Sequence, residues 1–482
     1  FSIVPSGCIF SHTGMMAFMP SKDLWWSVAV ANSTPFIGLL HLLMPRGGAD
    51  SGQTLRYEVG YVGSVPMILP TSDTVKELEM ASFDGFRSQR ELASIQETCL
   101  WFRLPSTTYS KFNRSIWALW QTCNSEIGSL TESLREVRLA VDDVVSELYG
   151  LDDDDIACLK ESAGDIPLSA RSTSLDVVTT EEECGRMDEQ LDGGEVAIAA
   201  SSFTAGIFSW CLGVAFGRWD VRFATGERPI PTLPDDPFTP LPAYSPGMLV
   251  DPLVIAGKLE YPIRVDSDGI LVDDPENSDD IVRAVREALE AVWQDRAEDI
   301  ELEACELLGV SDLREYFRDP RRFFDYHIKQ YSRSKRKAPI YWLLQSPKRF
   351  YGVWLYYHRL NRDTLFKVLA MYVEPKIRLE QTRLDQMRAE RERAGTGGSD
   401  VKRLERAIDR HEALMSDLHA FRDRLVRAAE HYLEPDLDDG VILNMAPLWE
   451  VVPWKEPAKY WQELKQGKYS WSTVARQLAA RR

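Results

Sequence analysis

The residues that come nearest to a chemical pattern in this sequence are cations interleaved with aromatic rings. Over residues 311–380, sixteen Lys or Arg stand against seven Asp or Glu, a local balance of +9, while the whole chain carries −18 and the remainder therefore −27. Arg333, Lys335, Arg336 and Lys337 crowd into five residues, and Lys348 and Arg349 follow. Thirteen aromatic residues lie between Tyr316 and Tyr357 in the same stretch. Lys and Arg neutralise phosphates and release condensed counterions, and planar side chains stack on bases or fill a core. We assign the aromatics to a core and the six cations to phosphate contact, which positions a nucleic acid without reading its sequence.

Other patterns are weaker. Gly60-Tyr-Val-Gly63 lacks the third glycine of a dinucleotide loop, and no GxSxG nucleophile elbow is present. Seven scattered histidines read as surface or packing residues. The seven cysteines form no CxxC pair and are odd in number, which supports neither a zinc site nor a disulfide scaffold and suggests a reducing cytosol. Asp152-Asp-Asp-Asp155 reads as a helix start, with Asp152 as the cap, since it lacks calcium-loop spacing and its glycine. Asp235-Asp-Pro-Phe238 approaches the Asp/Asn-Pro-Pro-aromatic motif that holds a target amino group and stacks a flipped base. It has Asp where the first Pro belongs and sits in a proline-rich stretch, so we assign it no catalytic role. No residue is assigned to catalysis, cofactor or metal.

The elements that must carry the cations are mainly helical, in an α+β chain. Residues 1–72 alternate strand-like runs with one helix-like run. Leu24–Met44 is interrupted by Asn32, Ser33, Thr34, Pro35 and His41 and reads as a buried helix, not a membrane span. Val59–Leu69 reads as a strand that ends at prolines. Residues 73–165 form spacer helices; Ile127, Leu130, Leu134, Val137, Val141, Val144 and Leu148 build one apolar face, ended by Gly150. An acidic zone over 141–195, with seventeen Asp or Glu against three Lys or Arg, leads into a flexible connector at 166–195. Residues 196–310 hold an apolar helix, a loop with eight prolines between Arg228 and Pro252, and a periodic helix over Asp279–Leu308. The basic aromatic α/β region spans 311–375. Residues 376–433 form a long helical hairpin about Gly395-Thr-Gly-Gly398, its second arm striped by Val401, Leu404, Ile408, Met415, Leu418 and Leu425. A tail at 434–482 carries Trp449, Trp454, Trp461 and Trp471 and is expected to dock back.

With 482 residues, 44% hydrophobic, the chain has material for several packed domains and is not mainly disordered. Its acidic total excludes a protein that coats nucleic acid over its whole surface, but not one with a local basic site. Phe1 and the β-rich opening suggest a piece of a longer polypeptide.

Several strings together resemble a known family. Lys337-Ala-Pro-Ile-Tyr-Trp342, Tyr356-Tyr-His-Arg-Leu360 and Tyr372-Val-Glu-Pro375 are similar to the C-terminal region of PglX-type adenine-specific DNA methyltransferases. These enzymes serve BREX phage defence and are similar to DISARM and type IIG restriction-modification enzymes. The run Val141 to Leu151 with Asp155-Ile156 looks like the helix that follows target recognition in such enzymes. Ala31 to Leu43, Tyr57-Glu-Val-Gly60 and Val65-Pro-Met-Ile68 resemble the closing part of a target-recognition domain, here 1–72. Ala215-Phe-Gly-Arg-Trp219 and Asp439-Gly-Val to Pro447-Leu also fit. The resemblance implies a C-terminal, DNA-recognising half of an N6-adenine methyltransferase. The family's S-adenosylmethionine-binding and catalytic motifs have no counterpart here. Cofactor and methyl transfer would then lie outside this sequence, in another part of the polypeptide or another subunit. The expected partners are double-stranded DNA, the catalytic half and other phage-defence proteins, in the cytoplasm and without a membrane. The alternative is a non-enzymatic protein-interaction subunit of a defence complex with little DNA affinity.

Overall fold

The computed structural model describes residues 3, 19–44, 59–105, 115–163, 198–255, 257–333, 336–394, 398–431 and 434–480. The connector expected at 166–195 lies outside them. The chain is mainly helical with a small antiparallel sheet, the α+β class expected. It divides into two compact units, one of residues 1–108, 119–199 and 230–247, the other of 109–118, 200–229 and 248–482.

In the first unit, α1 (Leu24–Asn32) and α2 (Thr34–Leu43) replace the single helix expected over Leu24–Met44. Ser33 ends α1 and caps α2, its side chain accepting from the Phe36 amide, and Pro35 sits in the first turn where no amide is needed. Among the described residues no single helix is long and apolar enough to cross a membrane; these two meet that test only as a pair bent by 68°. α3 (Val59–Ser64) stands where a strand was expected. Tyr61 and Val62 pack on the core from it, and the Ser64 hydroxyl donates to Gly60 O at 2.6 Å, so packing overrides the β preference of Val59 and Val62. Pro66 then leaves an extended segment without strand pairing.

α4 (Ser72–Ser94) packs on α1, and on α5 (Ile116–Tyr149) Ile127 and Val141 of the expected apolar face are buried and its other five residues half-buried, with Val145 buried beside them. Asp142 of α5 holds the start of α2, accepting from the Thr34 amide at 2.7 Å and its hydroxyl at 2.6 Å. Gly150 follows at φ +66°, and Asp152 accepts from the Asp155 amide at 2.9 Å to cap α6 (Asp153–Ala163) as read from the sequence.

In the second unit, the buried helix α7 (Ala200–Ala215) lies against the sheet residues. At Gly213 an added Cβ would stand 2.3 Å from Trp219 and 2.7 Å from the Tyr341 hydroxyl, so only glycine permits the contact. The sheet has order β1 (Ile270–Val272), β5 (Gly352–Tyr356), β4 (Tyr341–Gln345), all antiparallel, and all three strands are fully buried. The expected helix over Asp279–Leu308 is two, α8 (Ile281–Trp293) and α9 (Ala297–Leu308), broken where Gln294 takes φ +48°. Gly309 at φ +64° ends α9, and Asp312 caps α10 (Leu313–Arg318) through the Glu315 amide. α11 (Phe323–Gln330) runs into a two-stranded ribbon, β2 (Ser332–Arg333) and β3 (Arg336–Lys337), paired Ser332 to Lys337 and Arg333 to Arg336.

The helical hairpin is α12 (Glu374–Arg393) and α13 (Ser399–Ala429). Val401, Met415, Leu418 and Leu425 of the expected stripe are buried, and Leu404 and Ile408 half-buried. Beyond it, α14 (Val441–Met445), α15 (Glu456–Lys465) and α16 (Thr473–Ala480) close over a small core of Ile442, Leu443, Ala446, Trp461, Leu464 and Val474. Trp449 and Trp454 pack against it, but Trp471 is 62% exposed, against the expectation that all four tryptophans dock.

Candidate nucleic-acid interface

The aromatics of the basic region are core, as the sequence reading assigned them. Phe317, Phe323, Tyr341, Trp342, Tyr351 and Trp354 are all at or below 2% exposure, while Phe350 and Phe366 open to solvent, at 46% and 39%. His327 at the centre accepts the backbone N–H groups of Ile340 (3.0 Å) and Tyr341 (2.9 Å) on Nε2. Burial holds its pKa well below the ordinary value, with the Arg218 charge adding to the effect, so it stays a neutral acceptor.

Five of the six cations divide between the two ends of strand β4. Lys337, half-exposed, lies on the β2–β3 ribbon before Tyr341; Lys348 and Arg349, both exposed, lie in the loop after Gln345. Five extended residues at ~3.3 Å each separate the ends by roughly 15 Å. α11 spans the same distance: Gln345 donates to Arg318 O just before that helix, and Tyr331 follows it and accepts the Ala338 amide. The backbone of Arg333 and Arg336 places them on the ribbon; Lys335 lies outside the described residues. One contiguous patch of all six is therefore not what the fold builds.

The loop after β4 is rigidly held. Ser346 and Tyr351 close it, the Ser346 amide donating to Tyr351 O (2.9 Å) and the Tyr351 amide to Ser346 Oγ (3.0 Å). Asp417, 2% exposed on α13, reaches into it and accepts the Lys348 amide (2.7 Å) and the Phe350 amide (3.4 Å) on its two oxygens. Arg349 between them takes φ +64°, a left-handed conformation uncommon outside glycine. The result presents Lys348, Arg349 and Phe350 outward from a fixed base.

Two residues of this loop's surroundings were not singled out from sequence. Arg349 and Arg321 both pair with Asp319, at 3.5 Å and 2.7 Å. The Arg321 hydrogen bond holds the Asp319 carboxylate below its usual range, so it stays ionised between two guanidiniums with a net positive surplus. Asp417 is the second, and nothing in a charged helical arm distinguishes it from a solvated acid. Arg314 and Arg318, by contrast, are engaged inward. Arg314 bridges Asp273 (2.6 Å) and Asp280 (2.9 Å), and Arg318 pairs with Asp273 at 2.5 Å, where both acids are buried. Burial opposes the Arg314 charge, but the two carboxylates outweigh it and its pKa is raised.

Among the described residues no three His, Cys, Asp or Glu side chains converge as a metal site. The Asp235–Phe238 string lies in the irregular proline loop; Asp236 accepts the Phe238 amide at 2.9 Å and Asp235 faces Arg87 at 3.6 Å, both acids exposed. That surface turn has no buried acceptor pair for a target amino group.

No protein-family model matches the chain. Over 195 residues it is 31% identical to a protein of Escherichia coli O9:H4 (strain HS) named adenine-specific methyltransferase BrxX; the match covers 37% of this chain and 16% of that protein. Over 460 residues it is 22% identical to a protein of Lacticaseibacillus casei (strain Zhang) named adenine-specific methyltransferase PglX, covering 92% of this chain and 32% of that protein. The chain thus spans a third or less of the length of the curated relatives it matches, and it is a homologue of both.

Proposed function

We propose that this chain is the DNA-recognising, C-terminal portion of an N6-adenine-specific DNA methyltransferase of a BREX-type phage-defence system. The observation that carries the reading is the alignment of nearly the whole chain with a minor part of a much longer protein named an adenine-specific methyltransferase. S-adenosylmethionine and the catalytic groups would then belong to the remaining part, whether the same polypeptide or a partner subunit. The target-recognition role falls to residues 1–72, the spacing role to the helices of 73–165, and duplex contact to the region 311–375.

A methyltransferase acting on a base within a duplex must take that base out of the stack, and the rest of the duplex must be held while it does so. Lys348, Arg349 and Arg321 would hold phosphates at one end of β4, and Arg333, Lys335, Arg336 and Lys337 at the other. Two contact points roughly 15 Å apart are the separation of about four to five base pairs at ~3.4 Å each, so both fit one short duplex segment. Asp417 acts as a positioning residue for the first.

The test is a titration of the chain with a labelled duplex at several salt concentrations. Each phosphate contact contributes about 0.9 to the slope of log affinity against log salt. K348Q/R349Q is expected to flatten the slope by about 2, and R333Q/K335Q/R336Q/K337Q by up to about 4. Slopes equal to that of the unaltered chain in both variants would refute the assignment.

A further inference from the structure

We infer that the surface formed by exposed Trp471 with half-buried Tyr469 and Tyr460, and Lys459 over the Tyr460 ring, binds unpaired nucleic-acid bases. This goes beyond the proposed duplex contact and uses none of its residues. Residues 453–480 hold five Lys or Arg against two Glu, the opposite sign to the chain's total of −18. Polyanions are the partners that such a local reversal favours.

The rings are arranged, not scattered. Tyr460 and Tyr469 lie 5.9 Å apart at 30°, and Trp471 meets Tyr469 edge-on at 6.4 Å. Lys459 stands 5.9 Å over the Tyr460 ring and Lys465 5.2 Å over that of Trp461. Trp461 is buried in the small C-terminal core while Trp471 leaves 62% of its surface to solvent. The loop that presents Trp471 is built against the usual preferences of the backbone. Gly467 takes φ +83°, which glycine adopts freely, but Tyr469, a bulky residue, is held at φ +58°. The strained turn is held by Glu463, which accepts from the Tyr469 hydroxyl at 2.6 Å and pairs with Lys468 at 3.1 Å. Its far side is pinned where Asp439 accepts the amides of Thr473 and Val474, each at 2.9 Å. Backbone strain of this kind clusters at ligand clamps and active sites.

The occupant follows from ring chemistry. An indole face beside lysines stacks on any base and does so with little sequence preference, but only if the base is free of its own stack. Duplex DNA offers no such face, whereas an extruded nucleotide or the strand left opposite it does. An acidic protein segment would satisfy the lysines without needing the ring.

The experiment uses the full chain and a fluorescein-labelled oligo(dT), with polyglutamate and a duplex as comparison probes. W471A is expected to lose about 5- to 150-fold of oligo(dT) affinity, the range for removing one base-stacking ring, and W471F to retain most of it. K459Q should flatten the single-strand salt slope by about 0.7. Duplex affinity should not change in any of the three. Oligo(dT) binding that is absent, or unchanged in W471A, overturns the proposal; so does polyglutamate binding as tight as oligo(dT) and equally lost in W471A, which would mark a protein-docking face. If oligo(dT) behaves as expected while the duplex does not bind, the proposed duplex contact fails and this site stands.

Discussion

Replacing Asp417 with Asn removes the charge that holds the Lys348–Phe350 loop while leaving the side chain's size. In the folded chain the carboxylate is 2% exposed and accepts two backbone N–H groups, at 2.7 and 3.4 Å. Hydrogen bonds to a charged group contribute about 1.5–3 kcal/mol each, and the longer one here lies at the weak end. Asn has one oxygen, so one bond survives without its charge, and the other amide then faces an NH2 group. The net local loss is about 1–3 kcal/mol, which corresponds to a roughly 5- to 150-fold rise in the opening of this loop. Amide hydrogen exchange reads that opening directly. The amides of Lys348 and Phe350 are expected to exchange faster by that factor in D417N, while those of β5 stay protected. Duplex affinity should fall less than in K348Q/R349Q, because both cations remain but lose their common base. Unchanged exchange at Lys348 and Phe350 would show that Asp417 does not hold the loop and would remove the argument for a preorganised contact.

Three further outcomes follow from the core. R314M leaves the buried Asp280 carboxylate without a guanidinium and Asp273 with Arg318 alone, and a melting experiment should register a loss of about 3 kcal/mol. His327 is held neutral by burial, with a folded pKa well below the usual 6.5, so its contribution is complete above pH 6.5 and is lost as pH falls, because only the unfolded chain takes up the proton. Urea unfolding should show lower stability at pH 5 than at pH 7 from this residue, a difference that H327Q, which keeps an acceptor, should abolish. Maleimide labelling should reach exposed Cys158 well before Cys123, whose thiol burial pushes up to about 12.

Helices with a clear apolar period and a capping residue were legible from sequence: α5 with Gly150, α6 with Asp152, and the hairpin of α12 and α13. Periodicity and caps are local, and the structure keeps them. Val59–Ser64 was misread because two valines bounded by proline carry a strand-like signature, while the helix comes from packing of Tyr61 and Val62 on distant residues. The break at Gln294 was invisible because the apolar period runs on across it. The aromatic core of 316–357 was legible in kind, since so many rings must be buried somewhere. The division of the cations was not. Lys337 and Lys348 are eleven residues apart in sequence, and only the straightness of β4 sends them to opposite ends. Asp417 lies 69 positions from Lys348, and its role depends on how the hairpin docks on the sheet, which no local signal encodes. Trp471 looked like its three neighbours, and the left-handed turn at Gly467 and Tyr469 is what directs it outward.

The central claim is that these 482 residues recognise DNA for a methyl transfer performed elsewhere, and one paired measurement tests it. The chain is assayed for duplex binding at physiological salt and, in the same preparation, for methyl transfer from labelled S-adenosylmethionine to that duplex. The account predicts salt-sensitive duplex binding, weakened by K348Q/R349Q, with no label incorporated. Label incorporated by the chain alone, or no duplex binding at all, would contradict it.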